Sequence, residues 1–300
     1  MIDLIYIASP SFSGSTMLTF LLGAHRSIAT IGELKWGRID LQTYPCSCGA
    51  LLKECRFWQT VQTRMHDRGL PFNLLRPPTD FRFRANPIAD RAARARIRGP
   101  VFESVRSAVV AVLPSCRDTR GQIEEVNRAM MEIIVDLKGA TMFLDASKDP
   151  VRLKHLMAAG CYRVRLVHLI RDGRAVTYSA MKNQGQSAEA AALEWRRTHR
   201  QIERLACELE ANQKLVVRYE DLCVELEPSR RRLFQFLDLD VGDVPADFRA
   251  AEHHILGNRM RLQPTTEIRL DEKWRTQLCP ADVATFDRVS GAMNHKYGYE

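Results

Sequence analysis

Ile2-Asp-Leu-Ile-Tyr-Ile-Ala8 is an apolar run, Ser9-Pro-Ser-Phe-Ser-Gly14 a loop, and Ser15-Thr-Met-Leu-Thr-Phe-Leu-Leu22 carries Leu18, Leu21 and Leu22 at helical spacing. This reads as strand, loop and helix. The pattern recurs along the chain. The run 142–144 leads into Asp149-Pro150, where an Asp cap and a Pro in the first turn open a helix through Ala159. The run 164–170 leads through Arg171-Asp172-Gly173 into a helix over about 174–182, and the run 215–218 precedes a helix near 229–237. Four short apolar runs, each followed by a helix, predict right-handed crossovers. The expected fold is α/β: a P-loop-like parallel sheet flanked by helices in a three-layer αβα arrangement.

The 300 residues are 45% hydrophobic and 27% charged, enough for a sizeable core, which excludes disorder and fibre. We expect a single domain over residues 1–300. Residues 37–138, which lack a clear strand, form a mostly helical insertion that builds the acceptor site, with 124–138 a good helix. The stretch 281–297, with Val283, Phe286, Val289 and Met293 on one stripe, reads as a closing helix. Lys and Arg number 44 against 36 Asp and Glu, a net charge of +8. That balance asks for an anionic partner without saying which. No run approaches the roughly 20 apolar residues of a membrane helix, and a strand follows the first residue without a basic leader, so a cytoplasmic protein with no membrane span is expected.

The loop stands where a phosphate loop should, between strand and helix, where backbone amides and the helix dipole favour an anion. An ATP loop reads G-x-x-x-x-G-K-[ST]; here Ser9 replaces the first Gly and Ser15 the Lys. Without the lysine that reaches the outer phosphates, the loop suits a nucleotide whose 5′ end carries one phosphate and a less charged group. A serine-capped turn is the alternative.

These residues resemble the sulfotransferases that use 3′-phosphoadenosine 5′-phosphosulfate (PAPS). Ser13-Gly-Ser-Thr16 is similar to their 5′-phosphosulfate loop, which implies donor binding by Ser11, Phe12, Ser13, Gly14, Ser15 and Thr16. Leu166-Val-His-Leu-Ile-Arg171-Asp-Gly-Arg174, with Ser179 eight residues after Arg171, resembles the segment that binds the 3′-phosphate. Physics agrees: Arg171 ends a strand on the edge where α/β sheets bind ligands, and a guanidinium matches a phosphate bidentately. The family usually has Lys or Arg where Phe12 stands, so either Lys35 and Lys148 supply the missing charge, or the loop binds through its backbone amides alone, or catalysis is impaired.

The resemblance is nearest to protein-tyrosine sulfotransferases and their bacterial relatives. Ile31-Gly-Glu33-Leu-Lys35 is similar to a Gly-Glu-x-Arg segment, which implies Glu33 as catalytic base and Lys35 as a nearby cation. Asp145-Ala-Ser-Lys148-Asp149-Pro150 resembles the Lys-Asp-Pro element, which implies Lys148 as stabiliser of the transferring group. Tyr219, in Arg218-Tyr-Glu-Asp-Leu222, would close the adenosine site. Asn258, Arg259 and Arg261, with Lys273-Trp274, resemble the carboxyl-terminal nucleotide lid of bacterial members. The implied activity is sulfuryl transfer to a hydroxyl-bearing acceptor (glycan, peptide, lipid or small molecule), with no metal required and no nucleic-acid partner. The catalytic histidine of small-molecule sulfotransferases has only His25 and His66 as candidates. A P-loop kinase or NTPase and a non-catalytic polyanion binder are the competing classes.

Three features stay open. Cys46, Cys48 and Cys55, the one cluster among eight cysteines, could hold a metal with a fourth ligand such as His66, form a disulfide, or be free packed thiols. The arginine-rich stretch Arg76, Arg82, Arg84, Arg91, Arg94, Arg96 and Arg98 suits an anionic acceptor, a solvated face or a homodimer contact. Trp195 reads as simple packing.

Overall fold

The computed structural model describes residues 1–35, 40, 42–83, 86–112, 114–243, 247–248, 253–257, 259–262 and 268–300. The chain begins β1 (Ile2–Ala8), α1 (Ser15–Gly23), β2 (Ile28–Thr30), α2 (Arg56–Asp67), α3 (Pro87–Ala93), α4 (Pro100–Val112) and α5 (Pro114–Lys138). It continues β3 (Met142–Lys148), α6 (Pro150–Ala158), β4 (Tyr162–Ile170), α7 (Gly173–Gln184), α8 (Ala188–Ala206), β5 (Lys214–Arg218), α9 (Tyr219–Val224) and α10 (Leu226–Phe236). Three short helices close it: α11 (Trp274–Gln277), α12 (Pro280–Phe286) and α13 (Ala292–Lys296).

The strands form one parallel sheet in the order β2-β3-β1-β4-β5. Because successive strand residues point to opposite faces, β1 divides its side chains between two layers. Leu4, Tyr6 and Ala8 join Trp58, Val61, Met130, Ile134, Leu153 and Ile202 on one side. Ile5 and Ile7 join Leu18, Leu21, Leu22, Leu233 and Phe234 on the other. Helices α2, α5, α6 and α8 therefore cover one face, α1 and α10 the other, which is the expected three-layer α/β fold.

All four expected strands are present. The fifth, β2, is only three residues long, too short for periodicity to reveal. The insertion is helical, and α5 starts ten residues before the expected 124. Asp149 caps α6, its Oδ1 accepting from the Val151 amide at 2.8 Å. The closing segment keeps its stripe against Trp195 and Val176, but a π-helical turn at Asp287–Gly291 interrupts it. No described helix is long and apolar enough to cross a membrane.

Candidate active site

β1 lies between β3 and β4, so the chain's connections leave it in opposite directions, and the crevice at the carboxyl ends of such strands is where α/β sheets bind ligands. Each strand end contributes: Ser9 to Thr16 after β1, Glu33 after β2, Lys148 on β3, Arg171 after β4 and Tyr219 after β5. Of these, Ser11, Phe12, Gly14, Ser15, Thr16, Glu33, Lys148, Arg171 and Tyr219 line a cleft of ≈ 810 Å³ together with Ser179 and Lys273.

The loop is shaped for an anion. Phe12 and Gly14 both adopt left-handed backbone, φ 65° and 86°, and no side chain caps α1, so the first amides of the helix keep their donors for a ligand. Gly14 is required twice, by its φ and because a Cβ there would stand 2.4 Å from the Tyr219 ring. The Ser9 and Ser13 hydroxyls are buried and have no partner among the described residues.

Arg171, 7% exposed, donates from Nη1 to the Phe12 carbonyl at 2.8 Å and from Nη2 to the Asp271 carbonyl at 2.9 Å. Its guanidinium stacks on Tyr219, 4.5 Å from the ring centre. Its Nε is buried without a partner among the described residues, and a buried guanidinium N–H left unpaired is a costly state that an anionic ligand would relieve. Ser179 lines the same cleft, its hydroxyl donating to the Ala175 carbonyl at 2.9 Å.

Glu33 and Lys148 form an ion pair with side chains 24% and 17% exposed. Lys148 reaches that position through a bulge. The β1–β3 register runs Tyr6↔Asp145 and then Ala8↔Lys148, one extra residue on β3, and Lys148 itself sits at φ 66°. Such a bulge re-aims a side chain, and a non-glycine residue held at positive φ costs about 1–3 kcal/mol, tolerated only where the surroundings over-determine it.

The surroundings here are a buried ion pair. Asp145 and Arg152, 0% and 1% exposed in their side chains, meet at 2.8 Å. The second Asp145 oxygen accepts from the Ser147 amide and hydroxyl and from the Leu34 amide, at 2.9, 2.5 and 3.4 Å. Ser147 Oγ in turn accepts from the Lys35 amide at 2.9 Å. Arg152 donates onward to the Thr79 carbonyl and Asn127 Oδ1, both at 2.6 Å. One buried pair thus fastens the Glu33 loop, the end of β3 and the insertion to one another.

The sequence matches the sulfotransferase family over residues 5–243. The chain belongs to that family. No curated protein matches it at a significant level. Among solved structures it is similar to the sulfotransferase domain from the curacin biosynthetic pathway, at 16% identity and TM-score 0.55 over 100% of this chain and 99% of that one. It is also similar to a sulfotransferase from Mycobacterium avium, at 13% identity and TM-score 0.51 over 99% of this chain and 77% of that one. At these identities the likeness is one of fold.

Beside the cleft, this sulfotransferase has a second hollow of ≈ 380 Å³ that shares Glu33, Lys148, Ser11, Phe12 and Gln184 with it. From α7 and α8, Val176, Ala180, Ala191, Glu194, Trp195 and Thr198 also line it, and Lys35 stands at its edge. None of its described lining residues comes from 37–138, and Thr79 of that stretch donates to the Leu34 carbonyl behind the Glu33 loop.

Other expected site residues are placed differently. Lys35 lines the hollow and not the cleft, and its ammonium pairs with Asp149 and lies 3.9 Å from Asp80. The cations that do line the cleft are Lys148, Arg171, Arg269 and Lys273. Arg261 is buried against the Tyr44 ring and donates to the Gly257 and Pro45 carbonyls at 2.6 and 2.8 Å, holding the wall of the cleft instead of lining it. Asn258, the Arg259 side chain and Arg84 lie outside the described residues. His25 and His66 are turned to the Asp240 and Phe72 carbonyls, away from both spaces. The arginine stretch divides: Arg91, Arg94, Arg96 and Arg98 meet Arg197, Arg200 and Arg204 of α8 around a hollow of ≈ 650 Å³, while Arg76 and Arg82 stand elsewhere, beside Asp80. Trp195 is buried in packing, its indole N–H donating to the Arg171 carbonyl at 3.3 Å. Sequence reading missed Gln184, Arg269 and Asp271; none belongs to a motif, and only the tertiary fold brings them to the cleft.

Proposed function

We propose that this sulfotransferase binds PAPS in the larger cleft and transfers its sulfuryl group to a hydroxyl acceptor in the adjoining hollow. The observation that carries this reading is that Glu33 and Lys148, ion-paired to each other, stand at the junction of the two spaces. A base and a cation at that junction face both the hydroxyl that must lose a proton and the oxygen that must gain charge.

In this reading the loop amides, Ser11 to Thr16, take the 5′-phosphosulfate. Arg171 and Ser179 take the 3′-phosphate, with Tyr219, Lys273 and the lid residues Asn258 and Arg259 around the nucleoside. The acceptor oxygen bonds to sulfur as its proton passes to Glu33. The bond from sulfur to the bridging oxygen breaks, and adenosine 3′,5′-bisphosphate leaves carrying the charge that Lys148 offsets. Positioning and electrostatic stabilisation carry most of such a transfer, as they do for phosphoryl groups. Lys35, matched by Asp149, serves the geometry of the Glu33 loop. The hollow's mixture of Val176, Ala180 and Trp195 with Gln184, Gln186 and Glu194 suits a hydroxyl on a partly apolar group.

The test is incubation with sulfur-labelled PAPS and a panel of phenolic, sugar and aliphatic alcohols. Label on an acceptor with matching release of adenosine 3′,5′-bisphosphate is the expected result. Tighter binding of ATP with Mg²⁺ than of PAPS would contradict it.

A further inference from the structure

The sulfurs of Cys46, Cys48 and Cys55 and Nδ1 of His254 all lie within 4.8 Å of one another. Three of these ligands fall inside ten residues, and the fourth comes from 199 residues beyond Cys55. His66, the ligand expected from sequence, is elsewhere. The separations have a meaning. Cys48 and Cys55 sulfurs are 3.7 Å apart, and His254 Nδ1 stands 3.6 Å from Cys46 and 3.4 Å from Cys55. A tetrahedral zinc with Zn–S of about 2.3 Å and Zn–N of about 2.0 Å requires S···S edges of about 3.8 Å and S···N edges of about 3.5 Å.

The frame around the four atoms is that of a ligand-holding knuckle. Cys46 to Ala50 forms a tight turn, with the Cys46 amide donating to the Ala50 carbonyl at 2.9 Å and the Gly49 amide to the Cys46 carbonyl at 3.0 Å. Cys55 stands at the start of α2. The His254 ring stacks on Phe57, centres 4.3 Å apart and planes 3° from parallel, which fixes the direction of Nδ1. Cys46, Cys55 and His254 are buried, and Cys48 stands at the exposed edge of the group.

We propose that Cys46, Cys48, Cys55 and His254 bind one structural zinc ion. Three thiolates and an imidazole in a closed tetrahedral set match zinc in softness and geometry, and no open position is left for chemistry. The ion's place in the fold gives it a purpose. His254 begins a segment whose Leu256 amide donates to the Ile31 carbonyl at 2.8 Å, extending the sheet edge beside β2. The next residue, Gly257, lies so near Glu33 that a Cβ there would be 2.8 Å from Oε1. The same segment is held by Ser47, whose hydroxyl donates to the His253 carbonyl and accepts from the Ile255 amide, at 2.8 and 2.7 Å. Zinc would lock the knuckle and this wall of the cleft into one unit. The inference stands on the cluster alone and is independent of the reaction proposed above.

The test begins with metal analysis of the full chain purified under reducing conditions, then cobalt substitution after chelation. One zinc per chain, and the intense visible bands of tetrahedral cobalt bound to thiolates, are expected. Cys48→Ser, on the exposed face of the knuckle, should lose both signals, and Cys279→Ser, an exposed cysteine elsewhere, should keep both. A wild-type chain that carries no zinc and gives no cobalt–thiolate bands overturns the proposal. So does a Cys48–Cys55 disulfide in the peptide map of unreduced protein, or cobalt bands that survive in Cys48→Ser.

Discussion

The loop from Ser9 to Thr16 and the wall behind Glu33 meet at the same cleft but are specified at different distances along the chain. The loop takes its shape from adjoining residues: two left-handed positions at Phe12 and Gly14, and a helix that starts immediately after. The wall takes its shape from partners far apart, with Asp145 reaching Leu34, Arg152 reaching Thr79 and Asn127, and Cys46 and Cys55 converging on His254. The loop's shape is thus written locally, whereas the position of Glu33 depends on the tertiary fold.

The largest expected effect isolates the base from the loop. Glu33→Gln should lower turnover by about 10²–10⁴-fold while leaving PAPS affinity within the wild-type range, because the substituted group holds no nucleotide. Equal losses in rate and affinity would merge the two regions that the comparison separates.

Next is the long-range fastening. Asp145→Ala leaves the Arg152 guanidinium buried without its carboxylate, and breaking a buried pair in this way costs about 3–5 kcal/mol. Urea unfolding measures it. A loss below about 1 kcal/mol, the size of a surface pair, would mean that the pair does not hold the wall.

Acid should also weaken the fold. Burial pulls His155 and His168 down to about 4, and His199, which meets His168 at 2.8 Å, also falls well below its ordinary value. All three are neutral in the fold. In the unfolded chain each takes up a proton near pH 6.5, so above that pH they cost nothing, and below it the unfolded state binds protons that the fold refuses. Stability should fall as pH drops from about 6.5 toward 4. Unfolding midpoints at pH 7.5 and 5 test this; no change, or higher stability at pH 5, would contradict it.

The same contrast explains what could be read from sequence. The sheet, the loop after β1 and the strand-end residues Lys148 and Arg171 are legible because each depends on a short run followed by a turn and a helix. β2 was not, since three residues hold too little periodicity. The charges of Lys35 and Arg261 are visible in sequence, while the Asp149 carboxylate and the Pro45 and Gly257 carbonyls that hold them in this fold are not. His254 could not be paired with the cysteines by spacing, because tertiary contacts such as Leu256–Ile31 and Ser47–Ile255 bring its segment beside β2.

On the proposed reading the cleft distinguishes a 3′-phosphorylated nucleotide, and thermal unfolding with adenosine 3′,5′-bisphosphate against AMP measures that directly. The bisphosphate should raise the melting temperature clearly more than AMP at equal concentration, and Arg171→Met should abolish the difference. Equal shifts from the two nucleotides in the wild-type protein would contradict the assignment of Arg171 and Ser179 and, with it, the reading of the cleft as a PAPS site.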